Sequence, residues 1–291
     1  MSIDKLQEKI RKLKCPLAIE FSMDPNCIPP DYLTEHPDFL TAYTAYTKQL
    51  LLRLDKLVPA VRFDFGMFAV MGSRALDCLE ELLLYARKLG FYVLLDGVEA
   101  MSQQSAERIA EIMLSDACKW AFDGLITTAY IGSDGIQPYV KRLKSGDKDL
   151  FVVARTANRS APETQDLLTG SRLAHVAKVD IINRFSQDLI GKSGYSRIAV
   201  MAAASSVDSL KTLRGKYKST FLLLDGCDYP NANAKNCSYA FDGLGHGALA
   251  CAGDTVTAAW RAEDAPADCF EAAVAAAERL KKNLNRYITI L

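Results

Sequence analysis

Histidine is scarce in this chain of 291 residues. The three present, at 36, 175 and 246, stand in no metal-binding or nucleophile–base motif, so each is expected to serve the core or the surface. The eight cysteines are spread from 15 to 269 with no C-x-x-C pair and no histidine at ligand spacing, which excludes a zinc ribbon or redox motif. They read as reduced, buried small hydrophobes, and no metal is expected. A net charge is absent too: 35 basic residues balance 35 acidic ones, giving no reason to expect a nucleic acid or an anionic membrane as partner. No apolar run reaches the roughly 18 to 20 residues that span a bilayer, and MSIDKLQEKIRKLKCPLAIEF has no long apolar segment behind its charges. A cytoplasmic protein is the expectation. A glycine-rich phosphate loop is missing as well, because the first strand-like run leads into FSMDPNCIPP, without a glycine. Gly-Lys-Ser at 191–193 is a decoy: a P-loop needs another glycine five residues earlier, and position 186 is serine.

What the sequence has is a 49% hydrophobic composition, enough for a sizeable core, laid out as a regular alternation. Short runs rich in Val, Ile, Leu or Phe occur at 16–23, 58–65, 91–96, 122–128, 150–156, 196–203, 220–225 and 246–252. Each suits a strand buried on both faces of a parallel sheet. Between them lie helical stretches. In SRALDCLEELLLYARKLG, Leu76, Leu79, Leu83 and Ala86 form one stripe and Gly90 offers a stop. In SQQSAERIAEIMLSDACKW, Ser102 stands as N-cap with Ile109, Ile112, Met113 and Ala117 at helical spacing. QDLLTGSRLAHVAKVD, SSVDSLKTLRGKY and AAVAAAERLKKNL complete the set. Eight βα units in this length predict an α/β fold of the (β/α)8 TIM-barrel type. It would form one domain over 1–291, with an N-terminal helix, a long first connection from 24 to 57 and a C-terminal helical extension.

Barrels carry their chemistry at the C-terminal ends of the strands. The polar residues there are Asp24, Arg62, Asp64, Asp96, Thr127, Thr128, Arg155, Thr156, Asp225, Asp228 and Asp254. Alternation along the second strand puts Arg62 and Asp64 on one face and Val61, Phe63 and Phe65 on the other. With the phenylalanines packed against helices, Arg62 would point into the barrel mouth near Asp24 and Asp96. On spacing alone this is either a structural ion-pair network or a catalytic cluster.

Six segments in order add a resemblance. MDPN, VPAVRF, LGFYVLLDG, AYIGSDGIQPYV, FVVARTANRSA and GLGHGALACAGDTVTAAW together resemble the orotidine 5'-monophosphate decarboxylase family in its longer bacterial form. The similarity covers most of the chain. It implies a barrel that removes carbon dioxide from orotidine monophosphate to give uridine monophosphate, a step in pyrimidine biosynthesis, with no cofactor and as a homodimer. The lysine of the family's D-x-K-x-x-D motif delivers the proton, and its last aspartate reaches across from a partner subunit.

Carried onto this sequence, Asp24 and Asp96 stand at matching positions and Ser105 stands where the partner's threonine would be. Arg62 replaces the second-strand lysine, Val98 the proton-donating lysine and Met101 the last aspartate. At the substrate-binding positions Thr156 falls in the fifth-strand turn, and Ala157 takes the place of a serine that would bond the base. Pro230 comes near the place of a phosphate-binding glutamine. Gly253 lies in the last phosphate loop, and Asp254 replaces the arginine that would clamp the phosphate. A lost polar contact to the base is worth about 1–3 kcal/mol, and a carboxylate facing a phosphate dianion reverses a favourable attraction. Three functions stay open. The chain could be a degenerate barrel, or pseudoenzyme, serving as a binding, regulatory or heteromeric partner. It could be an enzyme for a different small molecule using Asp24, Arg62 and Asp96. It could also be a working decarboxylase whose motifs are displaced. The ligand in each case is a small molecule, nucleotide-like or altered.

Overall fold

The computed structural model describes residues 3–291. Eight parallel strands close into a barrel: β1 (Leu17–Phe21), β2 (Ala60–Asp64), β3 (Tyr92–Asp96), β4 (Gly124–Thr128), β5 (Asp149–Val153), β8 (Ile198–Ala203), β9 (Leu222–Asp225) and β10 (Ala248–Ala252). Each pairs with its neighbours in chain order, and β10 returns to β1 with Leu17 opposite Ala250. Seven lie within the runs picked out by their apolar content and β5 overlaps its run, starting one residue earlier at Asp149, because strands covered on both faces leave continuous hydrophobic segments. A short antiparallel hairpin, β6 (Leu168–Thr169) with β7 (Arg172–Leu173), stands apart from the barrel.

Three helical expectations change. The stretch from Gln165 was expected to be helical, but the hairpin occupies its first half, turning at Gly170 with φ of +63°, and the helix begins only at Ala174. The helix after β3 runs Gln103–Met113 and stops before Ala117, and Ile112 is exposed. Ser102 caps it, as its position suggested, in a reciprocal capping box with Ser105. The long first connection holds a sixteen-residue helix, Phe39–Leu54, started by the Asp38 side chain accepting from the Thr41 amide. By contrast Ser73–Leu89 follows its stripe, with Leu79, Leu83 and Ala86 buried and Gly90 ending it in the left-handed region at φ of +89°.

The N-terminal end of the barrel is plugged by side chains. Tyr92, Phe151, Phe221 and Tyr195 form an edge-to-face chain with centroids 6.0–6.4 Å apart. A Cβ at Gly124 would lie 2.6 Å from the Phe151 ring, so β4 opens with the one residue that leaves this stack room. Asp149, fully buried beneath, accepts from Tyr92 Oη at 2.7 Å and from Arg197 Nε at 3.0 Å, and burial pushes its carboxyl up to about 7. The helix Ile3–Leu13 lies against this end through Gln7, whose Oε1 accepts from the Gly247 amide at 2.9 Å. With one end filled, open space for a ligand is left at the other.

Candidate functional site

Arg62 is central to the open end. It sits in register with Glu20 of β1, and Asp64 two residues on is in register with Asp96 of β3. Because side chains alternate along each strand, Glu20, Arg62 and Asp96 share the inward face with Ala18, Ala60 and Leu94, while Phe63 turns outward and stacks on Phe21 at 5.2 Å. The guanidinium uses its whole fork. Nη1 donates to Glu20 Oε2 at 3.0 Å and to Asp225 Oδ1 at 2.9 Å, and Nε donates to Asp96 Oδ2 at 3.1 Å, with Nη2 also paired to that oxygen. Asp96 Oδ1 accepts from the Gly97 amide at 2.7 Å. Gly97 has φ of +77°, and a side chain there would collide with the Asp64 carboxylate.

One cation thus faces three carboxylates. Arg62 is 7% and Asp96 9% exposed, so the pairing is poorly screened. Burial opposes the charge on Arg62, but Asp96, Glu20 and Asp225 outweigh it and hold the guanidinium well above its ordinary range. Glu20 moves the other way: burial pushes it up to about 7, Arg62 pulls it down, and Asp225, Asp96 and Asp64 add to the upward push. A carboxyl at about 7 exchanges its proton near neutrality.

The cluster differs from the expected one in a specific member. Asp24, expected near Arg62, is not among its ion-pair partners; its carboxylate starts the turn Pro25–Cys27, accepting from the Asn26 amide and side chain at 2.9 Å each. An Asp-Pro-Asn sequence favours this local turn. Glu20, four residues earlier and inside β1, takes the position next to Arg62. An acid in the middle of the apolar run LAIEF, in phase with the arginine of AVRFD, was the signal available for it. Asp225, named only as one strand-end acid among several, completes the set.

Beside this cluster a cleft of about 360 Å3 is lined by Glu20, Ser22, Asp228, Tyr229, Pro230 and Asp254 among others. The loops after β9 and β10 and the short helix Asp254–Thr257 form its wall, where TIM barrels commonly hold phosphate. Here carboxylates stand in that place. Asp228 Oδ2 accepts from the Gly253 amide at 2.9 Å, so the backbone donor of the last loop already has an anion on it. Asp254 Oδ1 accepts from Ser22 Oγ at 3.0 Å and Cys27 Sγ at 3.3 Å. Asp24, Cys27 and Asp254 bring ligand-type atoms within 4.8 Å of one another, a metal-compatible spacing. Burial pushes the Cys27 thiol up to about 11 and it donates to Asp254, so a metal there would have to displace that proton.

The remaining expected positions are spread out. Ser105 belongs to the start of its helix, with its hydroxyl donating to the Ser102 carbonyl at 2.8 Å, and lines neither the cleft nor the cluster. Thr156 is engaged by Gln165, its amide donating to Oε1 and its hydroxyl accepting from Nε2 at 2.8 Å each. Ala157 presents a half-buried methyl group. Arg155 makes a two-pronged pair with Asp166, at 2.9 and 2.8 Å, which holds that carboxyl below its usual range. Val98 is half-buried with its carbonyl accepting from Thr127 Oγ1 at 3.2 Å, and Met101 is 69% exposed. Among the described residues no helix is long and apolar enough to cross a membrane.

Similarity to known proteins agrees with this architecture. No family model matches the chain. An orotidine 5'-phosphate decarboxylase of Deinococcus radiodurans is 30% identical over 196 residues, which make up 67% of this chain and 70% of that protein. One from Caldicellulosiruptor saccharolyticus is 22% identical and covers 98% of both chains. Among solved structures, the Leishmania donovani OMP decarboxylase superposes with a TM-score of 0.74 at 20% identity, covering 99% of each chain. The Plasmodium berghei orotidine 5'-monophosphate decarboxylase gives 0.78 at 11% identity, covering 98% of each. The barrel, the order of the matching segments and these relatives together place the chain in the orotidine 5'-phosphate decarboxylase family.

Proposed function

We propose that this family member does not decarboxylate orotidine monophosphate and works as a small-molecule-binding, regulatory or heteromeric barrel. The observation that carries this is the charge arrangement at the mouth. The family reaction needs a cation that gives up a proton beside carboxylates that crowd the substrate's own. Arg62 is cationic but held above its already high range, so it keeps its protons, and its fork is fully taken by Glu20, Asp96 and Asp225. Val98 and Met101 have no exchangeable proton. Asp228 and Asp254 occupy the wall where a phosphate would bind and would repel it.

A second reading rests on Glu20. A carboxyl pushed up to about 7 and lining a cleft can act as general acid or base near neutral pH. In that case Glu20, Arg62 and Asp96 would turn over a small molecule that is neutral or cationic, with Asp254 meeting its positive group. Asp24 would then support the loop, and Thr156, Ala157 and Ser105 would lie outside the reacting centre. The same proposal includes a homodimer, for which the exposed Leu167 and Leu168 offer apolar surface, and a cytoplasmic setting for the eight free cysteines.

Equilibrium dialysis with uridine monophosphate tests the phosphate argument. The expected outcome is no retention at millimolar nucleotide. Saturable binding, with phosphate density at Gly253 in a soaked crystal, would overturn it.

A further inference from the structure

We propose that a separate cleft, over the C-terminal ends of β4 and β5, is a binding site for a small organic monoanion with an apolar body, its charged end paired with Lys178. The cleft has a volume of about 610 Å3, within the range of small-molecule sites, and shares no lining residue with the acidic cleft beside Arg62. Its walls are largely apolar, with Met101, Tyr130, Val153 and Ala174 contributing.

The polar groups of the lining are nearly all committed to one another. Glu99 Oε2 accepts from the Thr128 amide at 3.1 Å and hydroxyl at 2.6 Å. Thr156 and Gln165 bond each other. His175 is held at both nitrogens, Nδ1 at 2.9 Å from the Gln165 carbonyl and Nε2 at 2.8 Å from Ser209 Oγ. Among the charged groups Lys178 is the exception: among the described residues its ammonium has no hydrogen bond or ion pair, and burial alone lowers its pKa. A half-buried cation without a counterion in an apolar cleft lacks one component, an anion. Glu99 in the same cleft limits the choice, because a second negative charge on the ligand would meet a fixed carboxylate. A monocarboxylate or monosulfonate fits this pattern better than a phosphate or dicarboxylate.

Calorimetric titration of the full chain with naphthoate, and with uncharged naphthamide as comparator, tests the proposal. One naphthoate per chain is expected, bound roughly tenfold or more tightly than the amide, as a charge-assisted pair provides. Lys178→Met should abolish that difference while leaving thermal stability equal or higher, and Lys178→Arg should keep most of it. Three results would overturn the site: no saturable naphthoate binding, equal affinity for acid and amide, or unchanged affinity in the folded Lys178→Met variant. A naphthoate affinity that weakens as the protein self-associates would assign the cleft to a second copy of the chain and overturn it equally.

Discussion

Arg62 and Glu20 face each other across adjacent strands at 3.0 Å, a permanently charged guanidinium against a carboxyl that burial pushes up to about 7. The pair joins an inward position of β1 to one of β2 at the level where the barrel opens. Removing the cation therefore leaves Glu20, Asp96 and Asp225 together without compensation. Arg62→Met is expected to destabilise the fold by about 3–5 kcal/mol at mildly alkaline pH, as for other broken buried pairs. The loss should shrink in mild acid as the carboxyls protonate, which urea unfolding at two pH values would show. Arg62→Lys keeps the charge but not the three-way fork, and should fall between the two.

Glu20 gives a pH dependence of definite sign. Its carboxyl titrates at 4.5 ordinarily and about 7 in the fold, so between those values the folded chain holds a proton that the unfolded chain has released. This contribution to stability is complete below 4.5 and is lost as the pH rises to about 7. Glu20→Gln cannot titrate. Stability of the wild type relative to Glu20→Gln should fall by roughly 1 kcal/mol per pH unit across that window and then level off. Denaturant unfolding of both proteins from about pH 5 to about pH 8 reads the slope directly.

Gly97 and Gly90 both adopt positive φ, but only one is crowded. A side chain at Gly97 would run into the Asp64 carboxylate and the Gly66 amide, whereas at Gly90 the nearest atom is Lys9 Nζ at 4.0 Å. Gly90→Ala is expected to cost about 1 kcal/mol for its left-handed backbone. Gly97→Ala should cost more, roughly 2–4 kcal/mol, and should also disturb the amide that Asp96 accepts. Thermal unfolding of the two variants separates the cases.

Asp228 and Asp254 are the expected barrier to phosphate. Asp228→Asn with Asp254→Arg removes one carboxylate from the Gly253 amide and places a guanidinium at the helix start. Uridine monophosphate should then bind at least roughly tenfold more tightly than to the wild type. Adding Val98→Lys and Met101→Asp tests whether the proton donor alone was lacking. Without the phosphate pair, those two changes should yield no nucleotide turnover.

The barrel could be read from the sequence because each strand is buried on both faces and leaves an uninterrupted apolar run. The helix Phe39–Leu54 could not, since FLTAYTAYTKQLLLRL buries Tyr43, Thr44, Tyr46 and Thr47 along with Leu50, Leu51 and Leu54, and its pattern has little contrast between faces. The hairpin at Leu168–Leu173 depends on a Gly170 turn that helical spacing on either side conceals. Strand alternation makes Arg62 and Asp96 neighbours, whereas the Asp24 carboxylate is engaged in a local turn, which its Asp-Pro-Asn setting suits as well as a site. Glu20 lies inside β1 and not at its end, and its pairing with Arg62 comes from register within the strands, which the polar residues at the strand ends do not reveal. The carboxylate on the Gly253 amide depends on Asp228 arriving from another loop, a contact that no local pattern encodes.

The central claim is that the Arg62 cluster cannot supply the family's proton. Its most direct test is the conversion of orotidine monophosphate by the purified protein, with uridine monophosphate quantified by chromatography. The expected result is no product above the uncatalysed background, in the wild type and in Arg62→Met alike. Product formed by the wild type and abolished in Asp96→Asn would contradict it.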